Sequence, residues 1–152
     1  MGSKSRYIHE LNSWEKTHNE SINGLSGCSP VEHQEHVRER YDSVKPGERD
    51  EVSHFERLKL GGKSPTLRAG SNKSRGTHTG ARPIHPIAPR VITVRESARL
   101  QSFPDWFQFH ETKYYGIRQV GNSVPPLLAK QIAGEVRRAT SQVTNNAIVA
   151  GE

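Results

Sequence analysis

Between residues 57 and 95 the chain carries Arg57, Lys59, Lys63, Arg68, Lys73, Arg75, Arg82, Arg90 and Arg95, and no aspartate or glutamate. A block of one sign attracts a polyanion, because each phosphate it neutralises releases condensed counterions. The loop SNKSRGTHTGAR (71–82) has the composition such contact needs. Its glycines allow close approach, its hydroxyls and Asn72 are small donors, and its cations supply charge. Arg68, Ser71, Lys73, Ser74, Arg75 and Arg82 are therefore the candidate nucleic-acid-binding residues. Arginine can also read guanine through a bidentate contact worth about 1–3 kcal/mol. The alternative is an ordinary solvated basic loop.

Other residue types suggest less. His33 and His36 stand i, i+3 on an expected helix, but a zinc site takes three or four ligands and nothing at a recognisable spacing completes the pair. No metal is expected. Cys28 is the single cysteine, so an internal disulfide is ruled out, and its use fits a reducing compartment, read here as cytoplasmic. In its Gly27-Cys28-Ser29 setting it reads as a spectator thiol.

The elements that must position these groups are modest. At 152 residues, 32% hydrophobic and 25% charged, the chain holds one domain with a small core, plus tails. It has no apolar run near the roughly 20 residues that span a bilayer, and no secretory signal. Residues 1–28 read as a flexible leader. Ser29-Pro30-Val31-Glu32 is a helix-start signature, and that helix runs to Tyr41 or Ser43 before Pro46-Gly47 closes it. Residues 55–60 form a short apolar element broken by Gly61-Gly62. Residues 90–93 are strand-like. Thr93 and Glu96 then stand three apart as a reciprocal capping box, and Phe103-Pro104-Asp105 ends the helix they start. The aromatics of 103–109 read as core rather than as a base-stacking platform. Residues 114–120 read as a short strand. A last helix follows Gly121-Asn122-Ser123, with Val124, Leu128, Ile132 and Val136 at i+4 on one face. Beyond residue 140 the tail is polar and expected to fray.

Two of these stretches resemble a known family. TVRESARLQSFPD (93–105) is similar to the ninth conserved motif of the C5-cytosine DNA methyltransferases, and QVGNSVPPLLAKQIA (119–133) to their tenth. SPTLRAG (64–70) and RPIHP (82–86) resemble the end of the family's target-recognition region. The resemblance implies an α+β chain. Residues 29–88 would be a partial recognition region, small, irregular and with short strands. Residues 89–139 would carry motifs IX and X, and 140–152 the frayed tail. The C-terminal helix would dock on a doubly wound α/β catalytic domain.

It also implies chemistry. The family flips a cytosine out of duplex DNA, attacks it with a cysteine thiolate and moves a methyl group from S-adenosylmethionine to ring carbon five. Residues matching Asn122, Ser123 and Val124 line the family's cofactor pocket, where a helix N-terminus can present free amides to a carboxylate. Alternatively, Asn122 and Ser123 merely cap the last helix. In the family the arginine matching Arg95 helps pack the recognition region against its helix, a structural task expected here also of Glu96 and Arg99. The chain contains no Phe-x-Gly-x-Gly loop, no Pro-Cys-Gln and no Glu-Asn-Val, so it supplies no catalytic residue, Cys28 included. The expected function is DNA recognition and completion of the cofactor pocket, active only with a partner that carries the catalytic domain. The alternative is an inactive remnant or a stand-alone DNA-binding module. With that domain absent, the patch of Val124, Leu127, Leu128, Ile132 and Val136 should be exposed, about 10 kcal/mol of burial left for a partner to supply.

Overall fold

The computed structural model describes residues 25–70, 82–110 and 112–149. Four helices run along it: α1 (Glu35–Ser43), α2 (Val94–Leu100), α3 (Lys113–Asn122) and α4 (Pro126–Val149). The β content expected of an α+β chain shrinks, among the described residues, to three isolated bridges, Arg49 to Glu56, Arg57 to Ile84 and Ile84 to Val91. Ile84 is the middle thread and is fully buried. The strand expected at 90–93 is reduced to the bridge at Val91. Pro83, Pro86 and Pro89 withhold the donors that a longer ladder would need.

Two small cores result. Tyr41, Val44, Ile84 and Val91 form one, with Val31, Val37 and Phe55 packed against it. Val94 and Ala98 of α2 meet Ile117 and Val120 of α3 in the other, closed by Phe103 and Phe109. Phe103, Phe107 and Phe109 have ring centroids 5.0 Å apart, and the first and last are buried. Phe103 and Phe109 are core, and Phe107, 39% exposed, covers them from the rim.

Local rules explain some boundaries and tertiary contacts the others. Thr93 caps α2 as its spacing requires: its hydroxyl accepts from the Glu96 amide at 3.1 Å, and Glu96 accepts from the Thr93 amide at 2.8 Å. α2 stops at Leu100, earlier than the proline would demand. Ser102 takes the left-handed conformation (φ +64°), and Phe103 and Ser102 donate back to Ala98 and Arg99, the two bonds of a Schellman motif. Serine there costs roughly 1 kcal/mol against glycine. Its hydroxyl accepts the Leu127 amide at 3.2 Å, which ties the end of α2 to the start of α4.

Three expectations are corrected. α1 begins at Glu35, not at Ser29, because residues 29–34 serve the core. Val31 packs into it, and His33 Nε2 accepts the Val91 amide at 3.4 Å while its ring stands edge-on to Tyr41. Residues 114–120 are helix, not strand. Gly116, Ile117 and Val120 are its buried positions, and that spacing belongs to a helix face. Ser26 and Gly27, grouped with the leader, are built into the fold. Gly27 (φ +73°) accepts the Arg95 amide, and a Cβ there would stand 2.8 Å from Val94. Residues 1–24 lie outside the described residues.

Two buried arginines bind the loops to the helices. Arg57, 7% exposed, donates to the carbonyls of Tyr41, Asp42 and Val44 at the end of α1 and to those of Pro86 and Ile87, all at 3.0–3.3 Å. A cation at a helix C-terminus satisfies orphan carbonyls and the helix dipole together. Replacing Arg57 by Met should cost about 3 kcal/mol, since several buried carbonyls lose their donors at once. Urea unfolding of the two proteins measures it.

Glu96 gives a pH signature. Burial raises its pKa, but hydrogen bonds from Arg90 (two, 2.9 Å each) and Thr93 outweigh that and hold it at about 2, against 4.5 for a free carboxyl. A depressed folded pKa means stability that is present above pH 4.5 and lost as pH falls toward 2. About 2 kcal/mol should disappear in that window after allowance for solvent screening, and Glu96→Gln should flatten the wild-type curve there.

Candidate nucleic-acid interface

The structure sorts the basic block into internal and external members. Arg57 is spent on five carbonyls. Arg90 is held by Glu96. Arg95 is 2% exposed: Nε donates to the Ser26 carbonyl, Nη1 to Pro104, and Nη2 to Phe107 and to Ser26 Oγ. Burial lowers its pKa, and Asp105 at 3.9 Å acts the other way. Arg99 pairs with Asp105, Nε to carboxylate at 2.8 Å. These side chains organise the fold. Glu96 does the same through the capping box.

Lys59, Lys63 and Arg68 remain exposed, with Arg82 half-buried. Arg68 and Arg82 flank residues 71–81 and line one cleft of about 740 Å³, together with Arg49, His54, Phe55, Glu56, Pro65, Thr66 and Pro83. Sequence reading missed Arg49 and His54, because neither sits in a basic run. Ser71, Lys73, Ser74 and Arg75 lie outside the described residues.

The expected cofactor residues follow directly. Asn122 is the last residue of α3 and is exposed; its carboxamide makes no hydrogen bond among the described residues. It borders a groove of about 450 Å³ with His110, Tyr115, Arg118 and Gln119. Ser123 ends α3, its hydroxyl donating to the Val120 carbonyl at 2.7 Å. Neither residue caps α4, and the amides expected there are largely spoken for. Pro125 and Pro126 have none, and Leu127 donates to Ser102. Val124 is 58% exposed.

Gly121 joins the two regions. A Cβ on it would lie 2.5 Å from the Ala69 nitrogen and 2.7 Å from the Arg68 carbonyl carbon, both backbone atoms. The α3 end that carries Asn122 therefore rests on the segment that presents Arg68, with no room for a side chain between them.

The sequence matches the model of the C-5 cytosine-specific DNA methylases over residues 2–138. The chain belongs to that family. It is 52% identical over 115 residues to the type II methyltransferase M.XorII of Xanthomonas oryzae pv. oryzae, covering 76% of this chain and 27% of that protein. Over 56 residues it is 50% identical to mouse DNA (cytosine-5)-methyltransferase 1, covering 37% of this chain and 4% of that one. Among solved structures it resembles a DNA modification methyltransferase encoded within an E. coli prophage. The TM-score is 0.64 at 41% identity, over 85% of this chain and 36% of that one. The chain thus spans about a quarter to a third of the first two relatives it matches over most of its length.

Gly121→Ala should destabilise the family member by about 1–3 kcal/mol, since two stretches of backbone must separate to admit one methyl group. Thermal unfolding reads this, and a change under 0.5 kcal/mol would mean that the contact is slack.

Proposed function

We propose that the chain is the DNA-recognition part of a DNA (cytosine-5-)-methyltransferase acting on duplex DNA, and that it completes the cofactor pocket of a catalytic body on another polypeptide. One observation supports this above the others. Leu128, Ile132 and Val136 form a ridge along α4, continued by Val124 just before it, and all four are 51–58% exposed, whereas both cores draw their residues from before α4. Such a ridge is costly in water unless something covers it. The relatives' greater length is consistent with a body that does so.

The fit to S-adenosylmethionine is that of one wall. Asn122 offers an uncommitted carboxamide and Val124 an exposed apolar side chain, whereas the Ser123 proton is already donated to Val120. These residues would border the cofactor without holding it alone; the cofactor, when bound, supplies the activated methyl group. The chain's own part is to grip phosphates through Arg68, Arg82 and the loop of Lys73 and Arg75, and so to place the target cytosine.

Mixing the chain with a polypeptide bearing the family's Pro-Cys-Gln and Gly-rich motifs should restore methyl transfer to duplex DNA that neither shows alone. DNA binding without transfer from any such mixture would favour a stand-alone binding module. If about four phosphates are neutralised, log affinity should fall with log salt at a slope of roughly −3.6. Replacing Lys73 and Arg75 by Ala should flatten it, and an unchanged slope would put the DNA surface elsewhere.

A further inference from the structure

The cleft that holds Arg68 and Arg82 has a second source of positive charge, Arg49, on a turn at 49–54 that no motif points to. Asp50 is its anchor. It is 1% exposed, and its carboxylate accepts from Arg40 Nε at 2.7 Å and from the Ser53 amide and hydroxyl at 2.6 Å each. The Asp50 amide donates to the Phe55 carbonyl, and His54 donates to the Asp50 carbonyl at 2.8 Å. Held in this way, His54 adopts φ +58°, a left-handed conformation that is strained for a residue with a Cβ. The turn fixes His54 at the cleft, and Arg49 beside it has a side chain 70% exposed.

The fold thus gathers three arginines and a histidine, from three separated stretches, around one cleft whose single acidic member among the described residues is Glu56. Glu56 comes no nearer than 3.9 Å to the exposed Arg49 Nε, and neither Arg68 nor Arg82 makes an ion pair among the described residues. Arg82 Nε is buried without a hydrogen-bond partner among them. A merely solvated basic rim would need neither a strained turn nor a buried donor lacking an acceptor. An oxyanion entering the cleft satisfies the donor and relieves the mutual repulsion of the cations.

Resting on the DNA-recognition reading, we propose that Arg49 and His54 complete with Arg82 a binding site for a DNA backbone phosphate, one that sets the register of the duplex rather than reading its bases. The residues assigned to the site lie outside 71–81 in sequence. A cleft of about 740 Å³ admits a sugar-phosphate strand and not only a lone ion.

Fluorescence anisotropy with a labelled duplex, over about 50 to 200 mM salt, separates the outcomes. The variants are Arg49→Gln with His54→Asn, since asparagine tolerates the left-handed backbone. The pair should weaken duplex binding roughly fivefold at low salt and reduce the salt slope by about one unit, equally for duplexes of different sequence. Should the double variant unfold, Arg49→Gln alone carries the same expectation on the slope. Wild-type binding weakened by the Lys73 and Arg75 substitutions but untouched by these would overturn the site and leave the DNA reading standing. No binding of any duplex by wild type would overturn both. A loss confined to one duplex sequence would overturn the phosphate assignment in favour of base reading. Competition by inorganic phosphate at concentrations matched to DNA phosphate would overturn it in favour of a free-anion site.

Discussion

A single buried guanidinium holds the second core together. Arg95 reaches back to Ser26 and forward to Pro104 and Phe107, with its charge 5.8 Å from the centre of the Phe109 ring. It joins the segment before α1, the first turn of α2 and the aromatic turn after it. Removing that cation would leave three carbonyls unsatisfied in a core too small to rearrange around them. Ser26 extends the joint, since its hydroxyl also accepts the Phe109 amide at 3.1 Å. Arg57 does comparable work for the first core.

That economy explains why charge is a poor guide here. Nine cations in a stretch without acids read as one surface, yet three of them are spent inside the fold, mostly on backbone carbonyls and on Glu96. Arg57 bonds residues 13 to 30 positions away, and Arg95 bonds Ser26 from 69 positions away. No local pattern signals such pairings. Thr93 and Glu96 were legible for the opposite reason, being three residues apart in an interaction that needs nothing else. The helix over 114–120 was obscured by Tyr114 and Tyr115, adjacent β-favouring residues, although Ile117, Val120 and Gly116 already carried the helical spacing. The exposed ridge of α4 was legible because its i+4 apolar repeat had no matching apolar element elsewhere in so polar a chain. Arg49 and His54 were not, because only the fold of the 49–54 turn brings them to the cleft.

Packed backbone joins the two candidate regions. Arg68 faces the cleft, Gly121 lies against its backbone, and Asn122 follows Gly121 at the end of α3. Ser102 then fastens the start of α4 to the end of α2. A duplex gripped at the cleft and a body seated on α4 would therefore be positioned relative to each other by packed backbone rather than by a flexible link. Such rigidity suits a reaction in which one base must be delivered to one methyl donor. Among the described residues no helix is long and apolar enough to cross a membrane.

Amide hydrogen exchange along α4 tests the central claim most directly. A helix whose apolar ridge is uncovered should exchange fast in the isolated chain and slow by at least about tenfold when a polypeptide with the family's catalytic motifs is added. Slow exchange in the chain alone, or none of this protection in a mixture that transfers methyl groups, would show that α4 is not where the catalytic body sits.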